Sequence, residues 1–408
     1  MRPTSPHPPR HGVAGLADTT TVRWRDDGLA SIDARNTPDA FTALGYVHGM
    51  KRGWTVTLWR KTALGQLSRW FGTGLVSLDR HARQLGLAHQ AQAAYKQLSR
   101  PTKRRLQAYS RGLNTALQSD HVQNQDPFVL LDVQPVPWEP WHALAIERLL
   151  AWLATDPFSP PPNAPTRVTE FHEVDQQFRR WLHLHGWDRS VAWAVRPTLP
   201  PDTARPALFQ RHVLGALATP LVQEVTMTRP GTPRLTAASL PGVPLLPTGI
   251  HGKQSWASLL RSPARLTQTV LDSAALDHRH ERIEPVNGNE QLVHIQKLDG
   301  ALFLGPDSAA APTGNSLTRL NQTDTLQTES PPRAWILRWP GLRSGSDLPA
   351  WLRRAGLRSP TADTTSFTLF SGDGLRVSRS GTWSVLGSPS VVVRDSVQRY
   401  IVVGNADW

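Results

Sequence analysis

The hydrophobic pattern of this chain changes period once, near Gly186, and that change constrains the fold more than any other feature. Before it, apolar residues recur at spacings of three and four, which lines one face of a helix; after it they alternate, which lines one face of a strand. Helices first and strands second predict an α+β chain with a mostly antiparallel second part and one boundary near 186. A short hairpin from Val22 to Ile32, turning at Asp26-Asp27-Gly28, is expected to come first. Helices are expected over 37–48, 54–70, 79–98, 102–118, 142–154 and 170–184, the first with Thr37 as N-cap and Pro38 at its first position. Strands are expected over 190–195, 207–214, 221–227, 235–238, 266–271 and 291–295. A late helix, 348–355, precedes strands over 382–385, 391–394 and 400–403. The stretch 155–166 is rich in Pro, cannot continue a helix, and reads as a linker or spacer. Four regions follow: a disordered basic leader 1–18, a helical region 19–154, the linker with its helix 155–189, and a β region 190–408.

A composition with 39% apolar residues and 16 Trp is that of a globular protein. There is no cysteine, which excludes disulfides, a thiol nucleophile and cysteine metal sites. No secretory signal and no apolar run long enough for a membrane span is visible, so the expected location is cytoplasmic, with no membrane partner. The net charge is +13, but the longest basic run is Lys103-Arg104-Arg105 and the arginines are scattered. Nucleic-acid binding is therefore not expected as the main function.

Ser190 stands directly before the alternating run Val191-Ala192-Trp193-Ala194-Val195. If the bond before such a serine is cut, its freed α-amine can act as the base for its own hydroxyl. Taken alone, a serine in this place is more often a turn or capping residue.

The order of segments resembles one family, the penicillin acylases, which are N-terminal-nucleophile hydrolases of linear amides. In the first part the match is carried by Phe41-x-x-Leu44-Gly45-Tyr46-Val47-His48, Arg52-x-Trp54, Trp59-Arg60-Lys61, Gly65-x-Leu67, Phe71-Gly72 and Asp79. Ala108-Tyr109-x-x-Gly112-x-Asn114, Pro137-Trp138-x-Pro140 and Arg148 to Trp152 continue it. In the second part it is carried by Ser190-x-x-Trp193-Ala194-Val195, Arg205-Pro206-x-Leu208, Ala238 to Pro244, Trp256-Ala257, and Leu337-Arg338-Trp339. The resemblance implies a four-layer αββα sandwich and a precursor that cuts itself between Arg189 and Ser190. It further implies that Ser190 attacks an acyl amide, that His212 lines the nucleophile through its backbone, and that the main-chain N–H near Leu259 donates to the oxyanion. An apolar acyl pocket formed partly by Trp54, Phe71, Leu245 and Leu246 is expected on the same ground. No cofactor is implied.

Several positions depart from the family pattern. Val191 stands where the family has Asn, and Ser390 stands where it has the Asn that donates to the oxyanion. Loss of one such donor costs about 3 kcal/mol of transition-state stabilisation. Around 260–267 no carboxylate is present, so the family's calcium site is expected to be absent and no metal is expected. The chain stops at Trp408 where relatives continue, which suggests a truncated β region or a second polypeptide that completes the fold. Two readings remain: an amide hydrolase of a small-molecule acyl amide, and an uncut, degenerate member that binds or scaffolds. Changes at several site positions together weigh toward the second.

Other candidates read as structural. His278-Arg279-His280-Glu281 is expected to be a solvated loop and Gly372-Asp373-Gly374 a hairpin turn. Trp54, Trp59 and Trp70 are expected to pack the core against the sheet, and His48 to be a buried, hydrogen-bonded helix residue.

Overall fold

The structure is a computed structural model. It describes residues 12–13, 15–25, 28–154, 158–184, 191–195, 207–211, 222–251, 254–258, 264–271, 275–306 and 333–339, and five strands between 367 and 403. The expected late helix 348–355 and the turn at 372–374 lie outside the described residues, as does the leader up to residue 11.

The chain opens with the expected hairpin, β1 (Thr21–Trp24) and β2 (Ala30–Asp33). It then enters a run of helices: α1 (Thr37–Ala63), α2 (Ser68–Phe71), α3 (Val76–Leu85), α4 (Leu87–Gln97), α5 (Arg100–Leu117), α6 (Asp120–Gln123), α7 (Asp126–Leu130), α8 (His142–Leu153) and α9 (Thr166–Trp181). The N-cap of α1 is Asn36, one residue before the expected Thr37, because the Asn36 side chain accepts the Asp39 N–H at 2.9 Å. Pro38 still falls in the first turn, where a missing N–H is harmless.

Two of the expected helices are each two. The segment read as 54–70 is interrupted at Gly65 and the one read as 79–98 at Gly86, both left-handed at φ +59° and +73°. Gly86 ends α3 with its N–H on the Ala82 and Arg83 carbonyls, and α4 begins at the next residue. At Gly65 a Cβ would stand 2.6 Å from the Asp79 carbonyl oxygen, so the turn is open only to glycine.

Helix α1 is buried over most of its length and lies across α5. The two backbones meet at glycines: a Cβ on Gly45 would stand 2.0 Å from the Tyr109 carbonyl oxygen, and one on Gly112 1.8 Å from that of Thr42. Around this crossing the core gathers Leu44, Val47, Trp59, Leu106, Leu113, Ile146 and Trp152, all 2% exposed or less. Trp59 sits in this core, and Trp54 and Trp70, half-buried against it, stack on each other at 5.7 Å and meet the edge of Phe128 of α7.

After α9 the chain is all strand among the described residues. In order these are β3 (Val191–Val195), β4 (Ala207–Arg211), β5 (Gln223–Thr228), β6 (Leu235–Ser239), β7 (Thr248–His251), β8 (Gln254–Ser258), β9 (Arg265–Val270), β10 (Leu276–Ile283), β11 (Gln291–Leu298), β12 (Ala301–Pro306) and β13 (Arg333–Arg338). Five more follow: β14 (Phe367–Phe370), β15 (Leu375–Val377), β16 (Trp383–Val385), β17 (Val391–Arg394) and β18 (Arg399–Val403). They form three sheets, ordered β1-β2-β5-β6-β7-β8-β14-β15-β16, β10-β11-β12-β13-β9 and β17-β18-β3-β4. Pairing is antiparallel except at β2 with β5 and β8 with β14. The protein is thus α+β, with a helical first part and mostly antiparallel sheets after it. The parallel β2–β5 ladder, Ala30 opposite Val225 through Asp33 opposite Thr228, ties the first hairpin into the sheet of the second part.

His278 to Glu281 is strand, not loop. β10 pairs with β11 over eight residues, and its inward charges are taken up by α3, where Arg83 donates to Glu281 at 3.3 Å and to the Arg282 carbonyl at 2.6 Å. Polar residues on both faces hide the alternation that would have marked a strand. A third ring joins the two histidines across the ladder: His294 stacks on His280 at 4.5 Å and on His278 at 5.0 Å. The rings are stacked, with His278 Nδ1 2.9 Å from His294 Nε2, and among the described residues no group of three or more ligating side chains is arranged to hold a metal ion.

Because the α1–α5 crossing is backbone against backbone, Gly112→Ala forces the helices apart. The expected destabilisation is about 3 kcal/mol or more, at the upper end of core overpacking, and it is read from chemical unfolding beside Gly74→Ala, where a Cβ would meet open space.

Candidate active site

The candidate nucleophile Ser190 and its partners His212, Leu259 and Ser390 lie outside the described residues, and so does Arg189. Each adjoins a described strand end: Val191 opens β3, Arg211 closes β4, Ser258 closes β8 and Val391 opens β17. In the four-stranded sheet, Val191 is paired with Arg211, Ala192 with Val402, and Val391 with Val403. In antiparallel ladders these registers bring the opening of β3, the close of β4 and the opening of β17 to one end of the sheet. β8 packs close to β4.

Beside these strands the helical part is joined to the large sheet by a chain of buried hydrogen bonds. His48 of α1 is fully buried, with Nδ1 2.7 Å from the Tyr109 hydroxyl of α5 and Nε2 2.8 Å from Ser239 Oγ at the end of β6. Ser239 donates to the Gln223 carbonyl at 2.7 Å, so its oxygen must accept from His48 Nε2–H. His48 Nδ1 is then the acceptor for the Tyr109 O–H, whose oxygen accepts the Gly242 N–H. Only one proton order satisfies every member, and it requires a neutral imidazole. Burial, and next to it the Arg52 charge, pushes His48 down to about 3; burial raises Tyr109 well above the ordinary phenol value. His48 is therefore a buried, hydrogen-bonded helix residue, as the sequence suggested, and its chain holds the Leu240 to Pro244 turn against the helices.

Other motif residues serve the same scaffold. Asn114 and Trp138 exchange two hydrogen bonds, the amide donating to the Trp138 carbonyl at 3.0 Å and accepting its N–H at 2.7 Å. Arg60 donates to the Val136 and Pro137 carbonyls. The Asp79 carboxylate accepts the Leu67 and Ser68 N–H groups and the Ser68 hydroxyl at 2.6–2.8 Å, which starts α2. His142 Nδ1 accepts the Glu139 N–H at 2.9 Å, and burial, followed by Arg60, holds it down to about 3.

The four expected pocket residues occupy separate settings. Trp54 lies on Trp70 and Phe128, while Phe71 meets the edge of Trp181 of α9 at 5.5 Å. Leu245 and Leu246 are buried, and Leu246 lines a cavity of about 30 Å³ with Phe41, Leu44, Met227 and Leu235. A wider cleft of about 500 Å³ lies between α1 and the first hairpin, lined by Leu16, Val22, Trp24, Ala43, Tyr46 and Met50; nothing in the sequence pattern singled it out.

Residues 19–290 match the family model described as penicillin amidase. The chain belongs to the penicillin amidase family. A penicillin acylase 2 proenzyme from Pseudomonas sp. (strain SE83) is 34% identical to it over 149 residues, covering 36% of this chain and 19% of that protein. An acyl-homoserine lactone acylase QuiP from Pseudomonas fluorescens (strain Pf0-1) is 25% identical over 295 residues, covering 61% of this chain and 36% of that protein. The match thus spans little more than a third, at most, of these relatives' lengths. The thermostable penicillin G acylase from Alcaligenes faecalis aligns at 20% identity over 31% of this chain and 69% of that one, with a TM-score of 0.30, too low a likeness to carry the fold. Within the family segment fall the His48–Tyr109–Ser239 chain and the Asn114–Trp138 pair, so these matched motif residues serve, in this protein, to hold the helical part together and to join it to the large sheet.

His48 and His142 bind a proton readily once unfolded and poorly when folded, so the unfolded chain takes up more protons below about pH 6.5. Their stabilising contribution is whole above that pH and is lost as pH falls toward 3. At pH 5 the loss is about 2 kcal/mol per imidazole, to be read as the difference between urea unfolding at pH 7.5 and pH 5 in wild type and in His142→Gln. Tyr109→Phe leaves His48 Nδ1 and the Gly242 N–H without their partner and is expected to cost about 2 kcal/mol or more at pH 7.5.

Proposed function

We propose that this protein is an acyl-amide hydrolase whose nucleophile is Ser190, freed by a self-made cut between Arg189 and Ser190. The observation that carries the reading is the register of the four-stranded sheet, in which the strand ends adjoining Ser190, His212 and Ser390 come to one end. Family membership supports the same chemistry, since the matched relatives are named as acylases of penicillin and of acyl-homoserine lactones.

In the proposed reaction the freed α-amine takes the Ser190 hydroxyl proton while the oxygen adds to the amide carbonyl carbon. The tetrahedral oxyanion receives the N–H near Leu259 and the Ser390 hydroxyl. Collapse breaks the C–N bond, and the leaving amine takes the proton from the α-ammonium. Water then adds to the Ser190 ester by the same route and releases a carboxylic acid. The substrate class is an N-acylated small molecule.

A second reading is favoured by Val191 and Ser390, which replace two amide side chains of the family pattern: an uncut chain that keeps the fold for binding. Intact-mass spectrometry of purified protein beside Ser190→Ala separates the two. The hydrolase reading expects two fragments from wild type, the larger beginning at Ser190, a single chain from the variant, and release of carboxylic acid from acyl amides by the cut protein alone. One intact 45.2 kDa chain in both would remove it in favour of the second.

A further inference from the structure

In sequence, residues 155–189 read as a Pro-rich linker or spacer followed by one more helix. In the structure α9 is part of the core. Val168, Asp175 and Phe178 have no exposed surface, and Phe171 has 5%. The helix packs on α3 and on β12, so it bridges the helical part and the five-stranded sheet. Past its end, Leu182 and Leu184 are buried as well.

Its anchor is the Asp175 carboxylate. One oxygen accepts His81 Nε2 of α3 at 2.9 Å and Trp152 Nε1 of α8 at 2.7 Å; the other accepts Arg179 Nε at 2.7 Å. Arg179 also donates to the Leu153 carbonyl at 3.2 Å, at the end of α8. His81 is enclosed by Phe171 at 4.6 Å and Phe178 at 5.1 Å, both from α9. Burial by itself would raise Asp175, but the His81 hydrogen bond and the Arg179 charge outweigh it and hold the carboxyl well below the usual carboxylate range. Removing α9 would uncover the apolar faces of α3 and α8 and strip His81 and Trp152 of their acceptor inside the core. The residues before α9 are different in kind: Pro162 and Asn163 are exposed.

We infer that α9 is a permanent strut that stays seated when the chain is cut on either side of it, so that maturation needs the single cut at Arg189–Ser190 and releases no spacer. The maturation clause rests on the cleavage proposed above; the retention of α9 does not. The test therefore uses the full chain with Ser190→Ala, which does not cut itself, carrying one inserted site for a sequence-specific protease between Pro162 and Asn163 and another between Asp188 and Arg189. After native digestion and size exclusion, the peptide spanning α9 is expected to co-elute one-to-one with the remainder, and in the same chain with Asp175→Asn to move to the small-peptide volume. Elution of the peptide apart from the remainder with Asp175 intact would overturn the inference. So would a mature wild-type protein whose smaller fragment ends before Thr166 with the α9 peptide gone. An uncut wild-type chain together with a retained peptide would remove the hydrolase reading and leave the strut standing.

Discussion

The contact of α1 with α5 at Gly45 and Gly112 is the constraint on which the other arrangements rest. With no side chains between them, the backbones come close enough for His48 of one helix and Tyr109 of the other to share a hydrogen bond. That bond is the first link of the chain to Ser239 and Gln223, which carries the position of the helices into the large sheet. A neutral imidazole suits the role because it donates on one side and accepts on the other, and burial keeps it neutral at physiological pH.

The charges buried in the helical part follow the same logic. Asp79 is met by two backbone N–H groups and a hydroxyl, Asp175 by an imidazole, an indole and a guanidinium, and Arg60 by two carbonyls. An ion removed from water must find partners of fixed geometry, and these partners come from segments far apart in the chain. Each such group therefore fixes the relative position of two or three elements, which is why so many of the family-like motif residues turn out to be structural. The strands next to the proposed nucleophile are held differently: the opening of β3, the close of β4 and the opening of β17 come to one end of a sheet through backbone ladders that any sequence of suitable pattern can form.

Much of the architecture was legible in the sequence because periodicity and punctuation are local. The hairpin from Val22, the helical run from residue 37, the strand Val191 to Val195 and the strands at 235, 265, 291, 391 and 399 follow from apolar spacing and turn residues. What was misread had a physical cause in each case. Gly65 and Gly86 break helices by left-handed turns, the first of them closed to a side chain by the Asp79 carbonyl, and β10 was hidden because it carries polar residues on both faces. Of the candidate site, the serine before an alternating run could be singled out by sequence, but the common sheet end of the neighbouring strand termini Val191, Arg211 and Val391 could not, since it depends on pairing across some two hundred residues.

By itself the sequence determined that helices come first and strands second, the family, and the residue types available to a site, because these depend on near neighbours and on motifs read one position at a time. Only the tertiary structure decided that Tyr109, His48 and Ser239 form one proton-ordered chain and that β2 lies parallel to β5. It also decided that the helix after the Pro-rich stretch is a core strut rather than a spacer. That last assignment turns on Asp175, a lone carboxylate in an amphipathic helix by sequence. Its meaning comes from His81 and Trp152, 94 and 23 residues away, which reach it only when α3 and α8 are packed.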